Sequence, residues 1–169
     1  EKLGRSYSYI SRTGYNKFEK QVYQKYGNGS VTINKYEPER QRLIQMSVSS
    51  NERMLMNNAY VYDPLNNILG ITNKSATTEA IGGETTHVYS YDELYQLKNA
   101  SGIFKGSKDT ASYTLGMQYD IMGKIIHKTQ AHNRNSREQS GTSYDFMYKY
   151  EGSQPGVATE IGERLFTYD

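Results

Sequence analysis

The sequence predicts an all-β chain of tandem antiparallel β-hairpins joined into one extended sheet. Three observations carry this. Tyrosine supplies 17 of the 169 residues, whereas Leu, Ile, Val and Phe together supply only 30, too little aliphatic material for a deep core. Five of the six aspartates (Asp63, Asp92, Asp120, Asp145 and Asp169) directly follow a tyrosine, where random placement would give fewer than one. The anchors Tyr9, Tyr36, Tyr62, Tyr91, Tyr119, Tyr150 and Tyr168 are 27, 26, 29, 28, 31 and 18 residues apart. A unit recurring at that period is the mark of a repeat architecture. Disorder is the competing reading of low aliphatic content, but it also requires a high net charge, and the net charge here is +2.

Each element follows from local chemistry. In Tyr60-Val61-Tyr62, Tyr89-Ser90-Tyr91 and Tyr148-Lys149-Tyr150 two rings stand at i and i+2, the same face of a strand. Tyr7-Ser8-Tyr9 has this spacing without an acid, since Ile10 follows. The acid after the second tyrosine is expected to start a turn, where a short carboxylate accepts a backbone N–H. Asp63-Pro64-Leu65-Asn66 has type I turn chemistry. Asp120-Ile121-Met122-Gly123 puts glycine where a hairpin loop needs a left-handed residue. Returning strands are expected at Ile68–Thr72 and Lys124–Thr129. Tyr36-Glu37 and Tyr150-Glu151 extend the pattern with the homologous acid, and Gly27-Asn28-Gly29 is a hairpin turn between the alternating runs Phe18–Tyr26 and Ser30–Tyr36. Residues 51–58 fit neither period and are left unassigned. Ala131–Ser143 reads as a polar surface loop.

A lone hairpin is marginal in water, so each unit must pack on its neighbours. Tyrosine is suited to such packing, because its ring covers a large area while its hydroxyl still reaches a polar partner.

Several function classes fall away. There is no cysteine, hence no disulfide framework, Cys-ligated zinc or thiol nucleophile. No stretch approaches about 18 apolar residues, so no helix is expected to span a membrane. The near-neutral charge gives no electrostatic case for nucleic acid, and the basic stretch Lys124, Lys128, Arg134 and Arg137 reads as a solvated face. Paired acids can divide the work of glycoside hydrolysis, but an active site needs two acids in unlike environments, and acids at regular intervals read as turn starters. His87, His127 and His132 lack metal-motif spacing; His87 and His127 are expected on strands and His132 in a loop. No Gly-x-Ser-x-Gly elbow appears, and Gly82-Gly83 is too short to cradle phosphate. No catalytic, metal or cofactor site is expected.

The recurring Tyr-x-Tyr-Asp-x-x-Gly/Asn-x-Ile/Leu pattern resembles the YD repeats of the Rhs (rearrangement-hotspot) family, found also in the C components of insecticidal ABC toxins and in teneurins. Tyr60–Ile68 is the cleanest copy, followed by Tyr89–Leu97 and Tyr119–Ile126, with Tyr26–Ser30 through Tyr36–Leu43 a further common segment. Tyr150–Pro155 resembles a late core segment in which histidine usually follows the proline, where Gly156 stands here. The resemblance implies a curved, extended sheet, a strip of a larger shell that encloses a C-terminal cargo, often a toxin. It implies six units near 7–35, 36–59, 60–88, 89–116, 117–147 and 148–169. The signature residues are then Tyr36, Glu37, Tyr60, Tyr62, Asp63, Tyr89, Tyr91, Asp92, Tyr119, Asp120, Tyr148, Tyr150, Glu151, Tyr168 and Asp169. The family's Asp-Pro-x-Gly processing motif does not occur, and the chain stops within a repeat, so the residues read as a segment of a longer polypeptide. The implied partner is the rest of that polypeptide, in a secreted or surface-exposed bacterial protein. A second reading is a glycan-binding module that stacks sugars on tyrosine rows. Strand edges left open by the cut are expected to favour self-association.

Overall fold

The computed structural model describes residues 8–75, 77–78 and 82–168. Among them there are no helices. Fourteen strands form one open, curved antiparallel sheet. They are β1 (Ile10–Tyr15), β2 (Gln21–Tyr26), β3 (Val31–Tyr36), β4 (Leu43–Ser50), β5 (Arg53–Tyr62), β6 (Ile68–Lys74), β7 (Glu84–Tyr91), β8 (Leu97–Lys105), β9 (Thr110–Tyr119), β10 (Ile125–Arg134), β11 (Arg137–Glu138), β12 (Tyr144–Lys149), β13 (Glu160–Ile161) and β14 (Arg164–Leu165). Sequential strands are neighbours throughout, except that β11 branches off β10 and β12 takes the next place. The all-β expectation holds.

The register shows why tyrosine substitutes for a core. One row runs Tyr60, Ile71, His87, Gly102, Tyr113, His132 across β5 to β10, and the next runs Tyr89, Ala100, Leu115, Gln130, Tyr144. Directly paired residues share a face, so Tyr60, Tyr89, Tyr113 and Tyr144 lie together on one side of the sheet. The other side carries Ser101, Thr114 and Thr129 with the exposed apolar residues Val61, Val88 and Ile103. Among the described residues Ala100 is the one buried apolar side chain and Ser75 the one buried polar side chain, with Gly83 and Gly102 buried beside them. The sheet is a single layer.

At its centre, Gly102 makes room for rings. A Cβ there would lie 2.4 Å from Tyr113 Cε1 and 2.7 Å from His87 Nδ1. The two rings meet above it, His87 Nδ1 lying 3.1 Å from the Tyr113 hydroxyl. Glycine in a strand marks such a close approach.

The structure assigns the segment left open and corrects several expectations. Residues 51–58 close β4 and open β5 through Asn51 (φ 49°) and Glu52 (φ 61°), a two-residue turn with both φ positive. Ala131–Ser143 is not simply a loop: β10 continues to Arg134, and Asn135 and Ser136 (φ 50° and 62°) form the same turn into β11. Asparagine tolerates that conformation, so polar composition concealed a hairpin. His132 is therefore a strand residue. Asp145 begins no turn; it lies inside β12 and faces His127 Nε2 at 2.5 Å. Glu151 begins no tight hairpin, since its N–H donates to Thr159 Oγ1 at the far end of a long connection. Tyr7 and Asp169 fall outside the described residues.

Candidate functional site: the tyrosine–aspartate rim

Every hairpin bend at a Tyr–acid pair lies along one edge of the sheet, and three of them are built alike. Asp63 Oδ1 accepts the N–H groups of Leu65 and Asn67, both at 2.8 Å. Asp92 Oδ1 accepts those of Leu94 and Gln96, both at 2.9 Å. Asp120 Oδ1 accepts those of Met122 and Lys124 at 2.8 and 2.9 Å. The third residue after each aspartate is left-handed: Asn66 (φ 76°), Tyr95 (φ 62°) and Gly123 (φ 80°). The backbone closes each bend twice. In the middle one the Tyr95 N–H donates to Asp92 O and the Asp92 N–H to Gln96 O. A register shift follows at Val61/Tyr62, at Ser90/Tyr91 and at Ile125/His127. This is a type I turn with a left-handed residue and an adjacent bulge.

Scanning for Tyr-Asp pairs passes over a fourth copy. Tyr15 ends β1, and Asn16 Oδ1 accepts the N–H groups of Phe18 and Lys20 at 2.9 and 3.0 Å, with Glu19 left-handed (φ 61°). The amide oxygen performs what the carboxylate performs elsewhere, and a search for Tyr-Asx would have found it. Glu37 departs from the pattern. Its turn is one residue longer, and its longer side chain turns to Arg42, held at 2.5 and 2.9 Å.

The tyrosines that end these strands tie one hairpin to the one before it. Tyr36 donates to Gln21 O (3.2 Å), Tyr62 to Leu43 O (2.8 Å), Tyr91 to Ile68 O (2.9 Å), Tyr119 to Leu97 O (2.9 Å) and Tyr150 to Ile125 O (2.8 Å). Each acceptor is the first residue of the preceding even-numbered strand. At a hairpin's end that carbonyl lies beside the bulge, and the phenol supplies the donor it needs. Tyr60, Tyr89 and Tyr148 lie one strand-period inward on the same face. Tyr168 donates to Ala158 O at 2.9 Å.

Electrostatics agree with the geometry. The Asn67 side-chain amide, with the Asn67 and Leu65 N–H groups, holds the Asp63 carboxyl below the usual range. The hydrogen bond from Arg42 lowers Glu37 and raises Arg42. Burial pushes the phenols of Tyr62, Tyr91, Tyr119 and Tyr150 up. Arg42 also lies 5.0 Å over the Tyr62 ring and Lys124 lies 5.0 Å over Tyr150, cation–π contacts worth about 0.5–1 kcal/mol at exposed sites. Each aspartate of the three like turns is thus spent on its own backbone, and among the described residues no group of three or more His, Asp or Glu side chains is gathered that could hold a metal ion.

This geometry has relatives. The toxin subunit YenC2 of Yersinia entomophaga is 34 % identical over a 140-residue alignment covering 64 % of this chain and 14 % of the relative. The YenC1 subunit is 32 % identical over 110 residues, covering 60 % and 11 %. The chain is thus similar in sequence to these two toxin subunits over part of its length. It spans about a seventh of their length or less. A TcdB2–TccC3 crystal structure lacking the hypervariable C-terminal region matches with a TM-score of 0.69 at 22 % identity over 90 % of this chain. The Tc holotoxin pore of Photorhabdus luminescens matches at 0.67 and 23 % over 82 %. These matches cover 8 % and 7 % of the solved chains, and at such identity they show a shared fold. No protein-family model matches the chain.

Proposed function

We propose that this segment is a structural, non-catalytic strip of an Rhs-type β-shell that encloses a C-terminal toxin or effector. The shell would be part of a secreted bacterial toxin complex, with the remainder of the same polypeptide as immediate partner. The observation that carries this reading is the single-layer sheet whose successive hairpins are fastened by the same tyrosine-to-carbonyl bond. A sheet normally buries one face against a second layer; one that buries a single alanine is suited to be a wall. In this reading the Tyr–acid pairs are the repeat signature, and the six units have the bounds given above.

The hydroxyls of the rim tyrosines are engaged by backbone carbonyls within the sheet. That favours packing over the stacking of sugars on free rings. The aspartates likewise serve their own turns, which supports a structural role over catalysis.

Limited proteolysis of the intact parent polypeptide tests this. The part C-terminal to the repeats is expected to survive protease until the sheet unfolds. Its digestion at the rate of an unfolded chain, with the sheet still intact, would overturn the proposal.

A further inference from the structure

The bend between β2 and β3 carries chemistry that the fold itself does not use. Of the chain's twelve asparagines only Asn28 is followed by glycine, and Gly27, Asn28 and Gly29 are all exposed. A Cβ at Gly29 would meet nothing within 4 Å, so the peptide nitrogen after Asn28 has no side chain of its own and no neighbour to shield it. The amide of Asn28 is meanwhile held over that nitrogen. Its Oδ1 accepts the Ser30 N–H at 3.0 Å and the Ser30 hydroxyl at 2.7 Å. The first of these bonds closes an Asx turn, a ring that contains the Gly29 nitrogen and keeps Asn28 Cγ close to it. Two donors on one carbonyl oxygen also draw electrons from Cγ and stabilise the charge that develops on the oxygen under attack. The comparable side chains each lack a part. Asn16 closes the same turn onto Phe18, but Lys17 follows it. Asn135 stands in an exposed bend before Ser136, and its Oδ1 accepts the Thr110 N–H across the sheet instead.

We propose that Asn28 is a site of spontaneous covalent modification, deamidation through a cyclic imide. Asparagine is a thermolabile residue, and here the parts of the reaction are assembled. The Gly29 N–H donates to Tyr26 O at 3.0 Å, and opening of that one bond frees the nitrogen. It loses its proton to solvent base and attacks Asn28 Cγ. A bond forms between Gly29 N and Cγ, the Cγ–Nδ2 bond breaks, and the side-chain nitrogen leaves as ammonia, giving a succinimide. Water opens the ring at either carbonyl, which yields aspartate or isoaspartate at position 28. The net change is one water gained and one ammonia lost, with no change of oxidation state. Both products add a negative charge, and isoaspartate also routes the main chain through the side-chain carbonyl, lengthening the bend by one methylene. The ladder that this bend closes is short, pairing only Tyr23–Lys25 with Val31–Ile33, so a longer bend loosens it. The β2–β3 hairpin therefore ages ahead of the rim hairpins, whose Asx residues precede Lys17, Pro64, Glu93 and Ile121.

Peptide mapping by mass spectrometry tests this on the intact parent polypeptide, kept folded in mildly alkaline buffer and sampled over time. The peptide containing Asn28 is expected to show the mass gain of an amide-to-acid exchange, and to split into aspartate and isoaspartate forms, several-fold faster than the peptides containing Asn16 and Asn135. Conversion at Asn28 no faster than at those two would overturn the proposal. Ser30→Ala keeps the Asn-Gly pair and removes one of the two donors to Oδ1; it is expected to slow the conversion several-fold, and an unchanged rate would remove the part assigned to the Ser30 hydroxyl. In the aged protein hydrogen exchange at Val31–Ile33 is expected to be several-fold faster than in fresh protein, with the β4–β5 hairpin unchanged. Equal exchange before and after ageing would show that the modification leaves the ladder intact and would overturn the loosening.

Discussion

The two edges of this sheet solve the same problem, reversing the chain, in different ways. Along the tyrosine–aspartate rim one device recurs at Asn16, Asp63, Asp92 and Asp120: a side-chain oxygen holding the N–H groups two and four residues on. Along the other edge no single device recurs at every bend. There is a glycine turn at Gly27–Gly29, two-residue turns at Asn51-Glu52 and Asn135-Ser136, a four-residue bend over 106–109 and a long connection between β6 and β7. That edge is fastened by contacts that do not repeat, such as Arg134 on Asp109 and Thr110 on Asn135. The lesson is that repetition in this chain resides in one edge. The regular rim fixes strand register, and the free edge can vary in length without disturbing it.

This contrast can be broken most forcefully at a tyrosine. Tyr91→Ala removes a half-buried ring and leaves the Ile68 carbonyl without its donor; the local opening free energy around β6 and β7 is expected to fall by on the order of 3 kcal/mol, read by hydrogen exchange in the parent protein. Asp92→Ala removes two backbone bonds and is expected to cost about 1–2 kcal/mol by the same measurement. Tyr119→Phe keeps the ring and loses one bond to Leu97 O, at about 1 kcal/mol. On the opposite edge, inserting Gly-Ser after Ser107 is expected to cost less than about 1 kcal/mol. If the insertion proved as damaging as the tyrosine replacement, the asymmetry between the edges would be wrong. A small effect is expected for Asn16→Asp, which keeps an accepting oxygen in the bend but gives up the amide's donation to Gln41 Oε1 (3.2 Å), at about 1 kcal/mol or less.

The rim also has a pH signature. Burial raises the phenols of Tyr62, Tyr91, Tyr119 and Tyr150, so their contribution to stability is complete below the unfolded tyrosine value near 10 and is lost as pH rises through the higher folded values. Asp63 is lowered, so its contribution is present above the unfolded carboxyl value near 4 and is lost as pH falls through the folded one. Opening of the rim is therefore expected to increase at both extremes, and Tyr113, whose phenol burial also raises, carries the alkaline limb toward the opposite edge. Ultraviolet titration of tyrosinate alongside hydrogen exchange would separate the two.

Much of this was legible in the sequence where residue identity alone dictates geometry. A tyrosine at i and i+2 names a strand face, and an aspartate after it names a bend. What escaped was chemistry that several residue types can perform. Asn16 accepts the same two N–H groups as an aspartate, and Asn135-Ser136 adopts a left-handed turn inside a stretch that reads as loop. Asp145 shows the reverse case: it follows a tyrosine as the others do, yet the chain continues as β12, because the residues after it, Phe146-Met147-Tyr148, alternate as a strand and none supplies a left-handed bend. The tyrosine-to-carbonyl bonds were out of reach for another reason. Their acceptors lie 15 to 25 residues away, at a position set only once the hairpins pair.

The most direct test of the shell is a cryo-electron microscopy map of the parent polypeptide. This sheet is expected to continue on both sides into a closed wall, with density for the C-terminal region inside it. A free-standing blade with solvent on both faces and the C-terminal region outside would contradict the shell.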